Sequence, residues 1–240
     1  MNGIRARHPQ LEAWVAASHP DVICLQEIKA GPGQLGLLAQ LEGYWCYWHG
    51  DKGYSGVGLL VSHTIAPERP EFAHPPFDFE HRIVTARLGD LTIASVYVPN
   101  GGKDFEAKLR FLEALDAFAA SHAANGAPLV LCGDLNVART DKDVHPKERK
   151  PNQIGTRPEE RQLLERIISR GLVDVLRAVD PDNENLFTWW APWRNLRQRN
   201  IGWRIDYVLA PEALHARTRS CIVEREIGTS DHAPVTWTYE

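Results

Sequence analysis

The sequence predicts an α/β fold in which two packed sheets are covered by helices, and three features predict it. The first is the stretch Pro128-Leu129-Val130-Leu131-Cys132-Gly133-Asp134-Leu135-Asn136. A short apolar run that ends abruptly in a glycine and two polar residues reads as a buried strand delivering a carboxylate and a carboxamide to a sheet end. The second is repetition of that pattern. Val22-Ile23-Cys24-Leu25 ends in Gln26-Glu27, residues 93–98 end in Pro99-Asn100, and Ser230-Asp231-His232 opens a strand over 233–239. The third is the mixture of hairpin signals with helical crossovers, which calls for sheets with helices laid on them.

Taken in order, residues 4–18 carry Leu11, Trp14, Val15 and Ser18 at helical spacing and stop before His19-Pro20, where proline disfavours continuation. A strand follows over 22–27, then a Gly/Pro loop and a second helix near 34–41. Tyr44-Trp45-Cys46-Tyr47-Trp48 is an aromatic strand, and Gly53-Tyr54-Ser55-Gly56-Val57-Gly58 leads into another over 59–62. Strands 83–88 and 91–97 flank Gly89-Asp90, a hairpin turn signal. From Asp104 to about Ala124, Phe105, Leu109, Leu112, Leu115 and Ala119 share one helical stripe, with Asn125-Gly126 as the stop. The strand carrying Asp134 begins at once. A long polar loop over 139–155 precedes Thr156-Arg157-Pro158-Glu159, read as a capping box for a helix ending at Gly171. Loops of that length are usually functional or disordered. Strands over 205–209, 217–223 and 233–239 complete the chain.

Composition bounds the answer. The 240 residues are 43% hydrophobic, enough for one large core, and no linker or low-complexity tract interrupts them, so residues 1–240 read as a single domain. No apolar run approaches the roughly 18 residues of a spanning helix, and no signal-peptide core is present. A cytoplasmic protein with no membrane partner is expected. Cys24, Cys46, Cys132 and Cys221 lack metal-type spacing, and three lie in strand-like runs, so they read as reduced core residues. The net charge of −4 makes no global case for nucleic acid. Local clusters do more. Arg194, Arg197, Arg199 and Arg204 interleave with Trp190, Trp193 and Trp203, a mixture suited to a phosphate backbone with a sugar or base to pack against.

Glu27, Asp134, Asp206 and Asp231, with Asn100 and Asn136, are hard oxygen donors that suit Mg²⁺ better than a softer metal. His232 could serve as acid, base or electrostatic clamp, with a carboxylate such as Asp206 fixing its tautomer. An aspartate at a strand end, taken singly, is commonly a cap or turn residue. Their conjunction points to a site.

Six ordered motifs then carry a resemblance: Leu25-Gln26-Glu27, Gly53 to Gly58, Tyr97-Val98-Pro99-Asn100, Gly133-Asp134-Leu135-Asn136, Gly202-Trp203-Arg204-Ile205-Asp206 and Ser230-Asp231-His232-Ala233-Pro234. In sequence order the chain resembles the exonuclease III family of abasic-site DNA endonucleases, within the endonuclease/exonuclease/phosphatase superfamily. The resemblance implies a four-layer sandwich of two mixed β-sheets flanked by helices. It also implies a Mg²⁺-dependent phosphodiesterase, with Mn²⁺ as a substitute, that cleaves 5′ to abasic sites, with 3′–5′ exonuclease and 3′-phosphodiesterase activities alongside. The expected partner is double-stranded DNA with abasic sites or blocked 3′ ends, met by a monomer.

Position by position, Glu27 resembles the metal carboxylate, with Asn2 and Asp231 as further metal contacts. Asp134 resembles the residue that orients or deprotonates the attacking water, and Asn136 its partner. Tyr97 and Asn100 are similar to phosphate and leaving-group contacts, and Asp206 with His232 to the pair that stabilises charge on phosphorus. Trp189, Trp203 and Ile205 resemble an apolar pocket for a sugar lacking its base, although large aromatics are in general mostly core. Arg204 beside them, and Lys103 in the loop after Asn100, are expected at the DNA; Lys103 reads equally well as a solvated surface residue. Two competing readings are phosphatases and lipases of the same superfamily, and a relative that binds nucleic acid without cleaving it. One departure stands out: the family pattern has a strand ending in Trp-Asn-x-Asn ahead of Gly3-Ile4-Arg5-Ala6, of which only Asn2 is present. The expectation is a natural start about 10 residues earlier, one strand's worth.

Overall fold

The computed structural model describes residues 1–240 apart from the side chains of Leu37 and Leu38. The chain divides into two compact units, residues 1–97 with 227–230, and residues 98–226 with 231–240. In unit 1, helix α1 (Ile4–Ser18) buries Ile4, His8, Leu11 and Val15 along one face, the i, i+4, i+7 stripe of an amphipathic helix. It stops at His19, whose left-handed backbone (φ 46°) returns its N–H to Val15 O at 2.8 Å. Strands β1 (Val22–Gln26), β2 (Tyr44–Asp51) and β3 (Tyr54–Ser62) form an antiparallel sheet in the order β1-β3-β2. Strand β3 is buried throughout after Tyr54, so it reads as a continuous apolar run rather than an alternation.

Strands β4 (Glu71–Ala73), β5 (Ile83–Leu88) and β6 (Leu91–Tyr97) pair antiparallel in sequence, with Gly89 at φ 61° in the hairpin turn. A buried hydroxyl joins these strands to the first sheet: Ser95 Oγ donates to Leu25 O (3.2 Å) and accepts from Gln26 Nε2 (3.0 Å). The helix expected near 34–41 is instead two short 3₁₀ turns, Pro32–Gln34 and Gly36–Ala39. Pro32, Gly33 and Gly36, the last at φ 54°, interrupt any longer helix.

Unit 2 begins with the segment Val98 to Asp104 and helix α2 (Phe105–Ala124), where Asp104 caps the first turn by accepting from Ala107 N–H at 2.9 Å. Strand β7 (Leu129–Asp134) follows, then α3 (Pro158–Ile168), β8 (Leu172–Asp174), α4 (Val175–Val179), β9 (Asp206–Pro211), α5 (Glu212–His215), and the hairpin of β10 (Thr218–Val223) and β11 (Val235–Tyr239). Strands β7, β9 and β8 lie side by side in that order, antiparallel throughout. The capping box of α3 sits one residue later than the sequence suggests. Glu160, not Glu159, accepts from Arg157 N–H (2.9 Å) and Gly155 N–H (2.5 Å), because Pro158 takes the first helical position, where a missing N–H costs least. The four cysteines are free thiols, and burial pushes Cys221 up to about 12.

The α2 stripe also differs from the apolar one expected. Lys108 and Asp116 are buried on it beside Phe111, Leu112, Leu115 and Ala119, while Leu109 is half-buried. Partners on or just after α3 explain this: Lys108 pairs with buried Glu160, and Asp116 takes Arg166 (2.5 Å) and Arg170 (2.8 Å). The Arg170 hydrogen bond, and then Arg166, hold the Asp116 carboxyl below the usual carboxylate range. Lys108→Met should cost about 3–5 kcal/mol in urea unfolding, since it strands a buried charge. A Lys108→Met, Glu160→Gln double variant should recover part of that, because the amide oxygen still accepts from Gly155 and Arg157.

Candidate active site

In unit 2 the antiparallel register sets Asp134, the last residue of β7, directly opposite Asp206, the first of β9. Asp134 is 4% exposed and is held by the residue two ahead of it. Asn136 donates its N–H to Asp134 Oδ1 (2.9 Å) and its Nδ2 to Asp134 Oδ2 (3.2 Å) and to Val98 O (2.9 Å). Asn136 sits at φ 52°, a left-handed conformation that asparagine tolerates better than most residues. Its own oxygens are taken too, Oδ1 by Asn100 Nδ2 (3.2 Å) and the backbone O by Lys108 Nζ (2.7 Å). Asn100, Asp134 and Asn136, expected at one rim from their places at strand ends, are thus joined in one hydrogen-bonded chain.

His232 completes the group. Its Nδ1 lies 3.0 Å and 3.1 Å from the two oxygens of Asp206, and its Nε2 lies 3.9 Å from Asp134 Oδ2. Burial alone would push the imidazole pKa down. The Asp206 charge, the hydrogen bond to it and the Asp134 charge outweigh burial and raise it to about 9, so the ring is an imidazolium at neutral pH. Donor atoms of Asp134, Asp206 and His232 lie within 4.8 Å of one another. Thr188 braces this corner: its Oγ1 accepts from the N–H groups of Ile205 and Asp206 at 3.1 Å each, and its carbonyl accepts from Ala233 N–H at 2.8 Å.

The tryptophan segment packs beside them. Trp189 and Trp203 exchange backbone hydrogen bonds of 2.9 Å, and their rings meet edge-on at 6.3 Å. Trp203 and Ile205 are each 6% exposed, in a cluster with Ala138 and Val144 against which half-buried Trp189 packs. The Trp189 indole donates to Asp231 Oδ2 at 3.2 Å. A Cβ on Gly202 would stand 2.4 Å from Trp189 O, so only glycine lets the two segments approach.

Arg204 corrects the expectation of a DNA contact. It is fully buried, its Nε on Asp143 (2.7 Å) and its Nη1 on Asp174 (2.8 Å), stacked over Tyr207. Two carboxylates met in the interior outbid solvent for the guanidinium. Lys103 is exposed in the loop just before the α2 cap.

In unit 1, Glu27 follows β1 at φ 57°. The Lys29 ammonium lies between Glu27 Oε1 (3.0 Å) and Asn2 Oδ1 (2.8 Å), and Gly3 N–H binds Glu27 O at 2.8 Å. Two of the expected metal contacts therefore meet around a cation, and their oxygens are the hard donors that would hold a divalent ion. Tyr97 ends β6 with the Arg82 guanidinium 4.9 Å over its ring. Arg82 also reaches Tyr54 Oη (3.2 Å) and Glu80 (2.7 Å). Sequence reasoning missed Lys29, Arg82, Lys108 and Thr188. Lys29 alone carried a local signal, two residues from Glu27.

A family model described as the Endonuclease/Exonuclease/phosphatase family matches residues 1–232. A relative from Bacillus subtilis, strain 168, called Exodeoxyribonuclease, is 33% identical over 98% of this chain and 95% of its own length. Among solved structures, the 3′ phosphatase NExo from Neisseria, bound to product DNA hairpin, superposes with a TM-score of 0.90 at 30% identity, covering 100% of this chain and 96% of that one. An AP endonuclease from Archaeoglobus fulgidus gives a TM-score of 0.85 at 27% identity, with coverage of 100% and 96%. The mixed α/β architecture of sheets flanked by helices expected from the sequence is the one these proteins share.

The raised His232 pKa has a signed consequence. Its stabilising contribution is fully present below the ordinary imidazole value of 6.5 and is lost as pH rises through about 9. Melting temperature followed from pH 6 to 10 should show that loss in the parent protein. Asp206→Asn should abolish it and return the His232 titration, read by NMR, to or below its ordinary value.

Proposed function

Since the chain belongs to the endonuclease/exonuclease/phosphatase family, we propose that it is a metal-dependent DNA-repair nuclease that cleaves the phosphodiester 5′ to an abasic site and also trims 3′ ends. The observation that carries this reading is a charged imidazole standing between two carboxylates, one of them clamped by an asparagine. Hydrolysis of a phosphodiester needs an in-line water and neutralisation of the charge that builds on the phosphoryl oxygens.

His232, protonated at neutral pH, cannot take a proton from water. It serves as the fixed positive charge facing the phosphoryl oxygen. Asp134 keeps the water in line and accepts its proton, and the Asn136 clamp fixes the carboxylate in advance, which removes reorientation from the barrier. Asn100 and Tyr97 contact the phosphate and the leaving oxygen. Glu27 and Asn2, whose oxygens already embrace the Lys29 ammonium, would hold the divalent ion. A divalent ion held there would supply charge neutralisation for phosphate chemistry, and the hard oxygen donors favour Mg²⁺, with Mn²⁺ as a substitute. Trp189, Trp203 and Ile205 form the pocket for a baseless sugar, with Asp231 orienting the Trp189 indole. The likeness to a 3′ phosphatase bound to product DNA supports the 3′-end activity. The substrate is duplex DNA, acted on by a monomer in the cytoplasm.

Cleavage of abasic, intact and RNA duplexes with and without Mg²⁺ tests the reading, and full activity in excess chelator would overturn it. Asp134→Asn and His232→Ala should each lower kcat by roughly 10²–10³-fold with DNA affinity little changed, as groups that act in the transition state do. Glu27→Gln should lose activity that extra Mg²⁺ partly restores. For specificity, Trp189→Ala is the cleaner probe, because truncating buried Trp203 would itself cost about 3–5 kcal/mol of stability. The ratio of kcat/KM for abasic over intact duplex should fall roughly tenfold in Trp189→Ala, and an unchanged ratio would return that indole to a packing role.

A further inference from the structure

Unit 1 holds a cluster of imidazoles around a carboxylate that takes no part in the proposed hydrolysis. His49, in the latter half of β2, places its Nε2 2.6 Å from Asp78 Oδ2. His74, just past β4, stacks on the His49 ring with centroids 3.7 Å apart and planes 24° apart. His81 stands edge-on to His49 at 4.6 Å. A donor atom from each of His49, His74 and Asp78 lies within 4.8 Å of the other two.

We propose that His49, His74 and Asp78 form a metal site for a divalent ion of the zinc class, which ties β2 to the segment that leads into β5. The donor set decides the class. Two imidazoles and one carboxylate are borderline ligands that suit Zn²⁺, whereas Mg²⁺ takes oxygen and keeps its waters.

The supporting contacts are those a metal ligand needs. Asp78 Oδ1 accepts from the N–H groups of Arg82 (2.8 Å) and Ile83 (3.0 Å), which fixes the carboxylate and leaves Oδ2 turned toward His49. Tyr47 Oη lies 2.8 Å from His74 Nε2 and Ile83 O lies 3.4 Å from His74 Nδ1; one of these contacts orients the imidazole and the other gives way to the ion. Zinc–nitrogen bonds of about 2.0–2.1 Å in a tetrahedron put donors about 3.3 Å apart. Donors that lie within 4.8 Å of one another close to that spacing as the ion binds. His49 and Asp78 side chains are 17% and 11% exposed and His74 is exposed, so an ion enters from solvent and a water or His81 fills the fourth position.

The experiment uses the full chain carrying His232→Ala, which removes one ligand of the Asp134, Asp206 and His232 group. Metal-free protein is titrated with Zn²⁺ by calorimetry, and with Co²⁺ while its ligand-field absorption is followed. One site per chain is expected, with the absorption of a four- or five-coordinate ion, unaffected by excess Mg²⁺. Zn²⁺ should also raise the melting temperature. Adding His74→Ala, at an exposed position, should weaken binding at least tenfold and cancel the thermal shift, with the far-UV circular dichroism of the metal-free protein unchanged. His49→Gln should do the same. Unchanged affinity and stoichiometry in both variants, or displacement of Zn²⁺ by Mg²⁺, would overturn the proposal.

Discussion

A buried guanidinium holds the second unit in register. Arg204 has no contact with solvent, and a cation in that position costs several kcal/mol unless carboxylates meet it with good geometry. Asp143 and Asp174 do so, and Arg177 adds a second cation on Asp143 at 2.8 Å. The pairing reaches the backbone as well, since Arg204 N–H donates to Asp143 O at 2.8 Å. Below it, Tyr207 Oη donates to Val137 O (2.7 Å) and accepts from Arg139 N–H (3.1 Å), which pins the turn that follows Asn136. Trp203, Ile205 and Asp206 are the neighbours of Arg204 in sequence. Any slip of this segment would strand three charges, so the apolar cluster and the Asp206 carboxylate keep their places together.

Around that anchor the polar groups of the candidate site are almost fully committed before any substrate arrives. Asn136 uses its N–H, both amide functions and its carbonyl on four different partners. An amide so engaged has one orientation, and it transmits that rigidity to Asp134. His232 gains its charge from the same economy of partners: Asp206 binds one nitrogen, and Asp134 faces the other at a distance too long for a hydrogen bond. A positive ring edge next to a negative carboxylate is the arrangement that an anionic, charge-building phosphoryl group can enter.

Unit 1 carries two kinds of cation environment. Around Lys29 the donors are oxygens, Glu27 and Asn2, and the ammonium is the charge they share. Around Asp78 the donors are mostly imidazole nitrogens. Ligand softness separates them, so the two would not compete for the same ion.

Much of this was legible in the chain. Helix α1, the strands on either side of Gly89-Asp90, the α2 boundaries and β7 follow from local periodicity and turn chemistry, which are properties of neighbours in sequence. The positions of Glu27, Asp134, Asn136, Asp206 and His232 at strand ends followed from the same pattern together with the order of the motifs. What the sequence alone could not determine is which charges go inside. Arg204 read as a DNA contact, and its burial depends on Asp143, 61 residues away. The polar side of α2 turned inward because Arg166 lies 50 residues on from Asp116. His49 and His74 are unremarkable in a linear scan and meet only because β2 and the segment after β4 converge on Asp78. Burying a charge is stable only when its partner is already in place, and partners that distant are brought together by the tertiary fold.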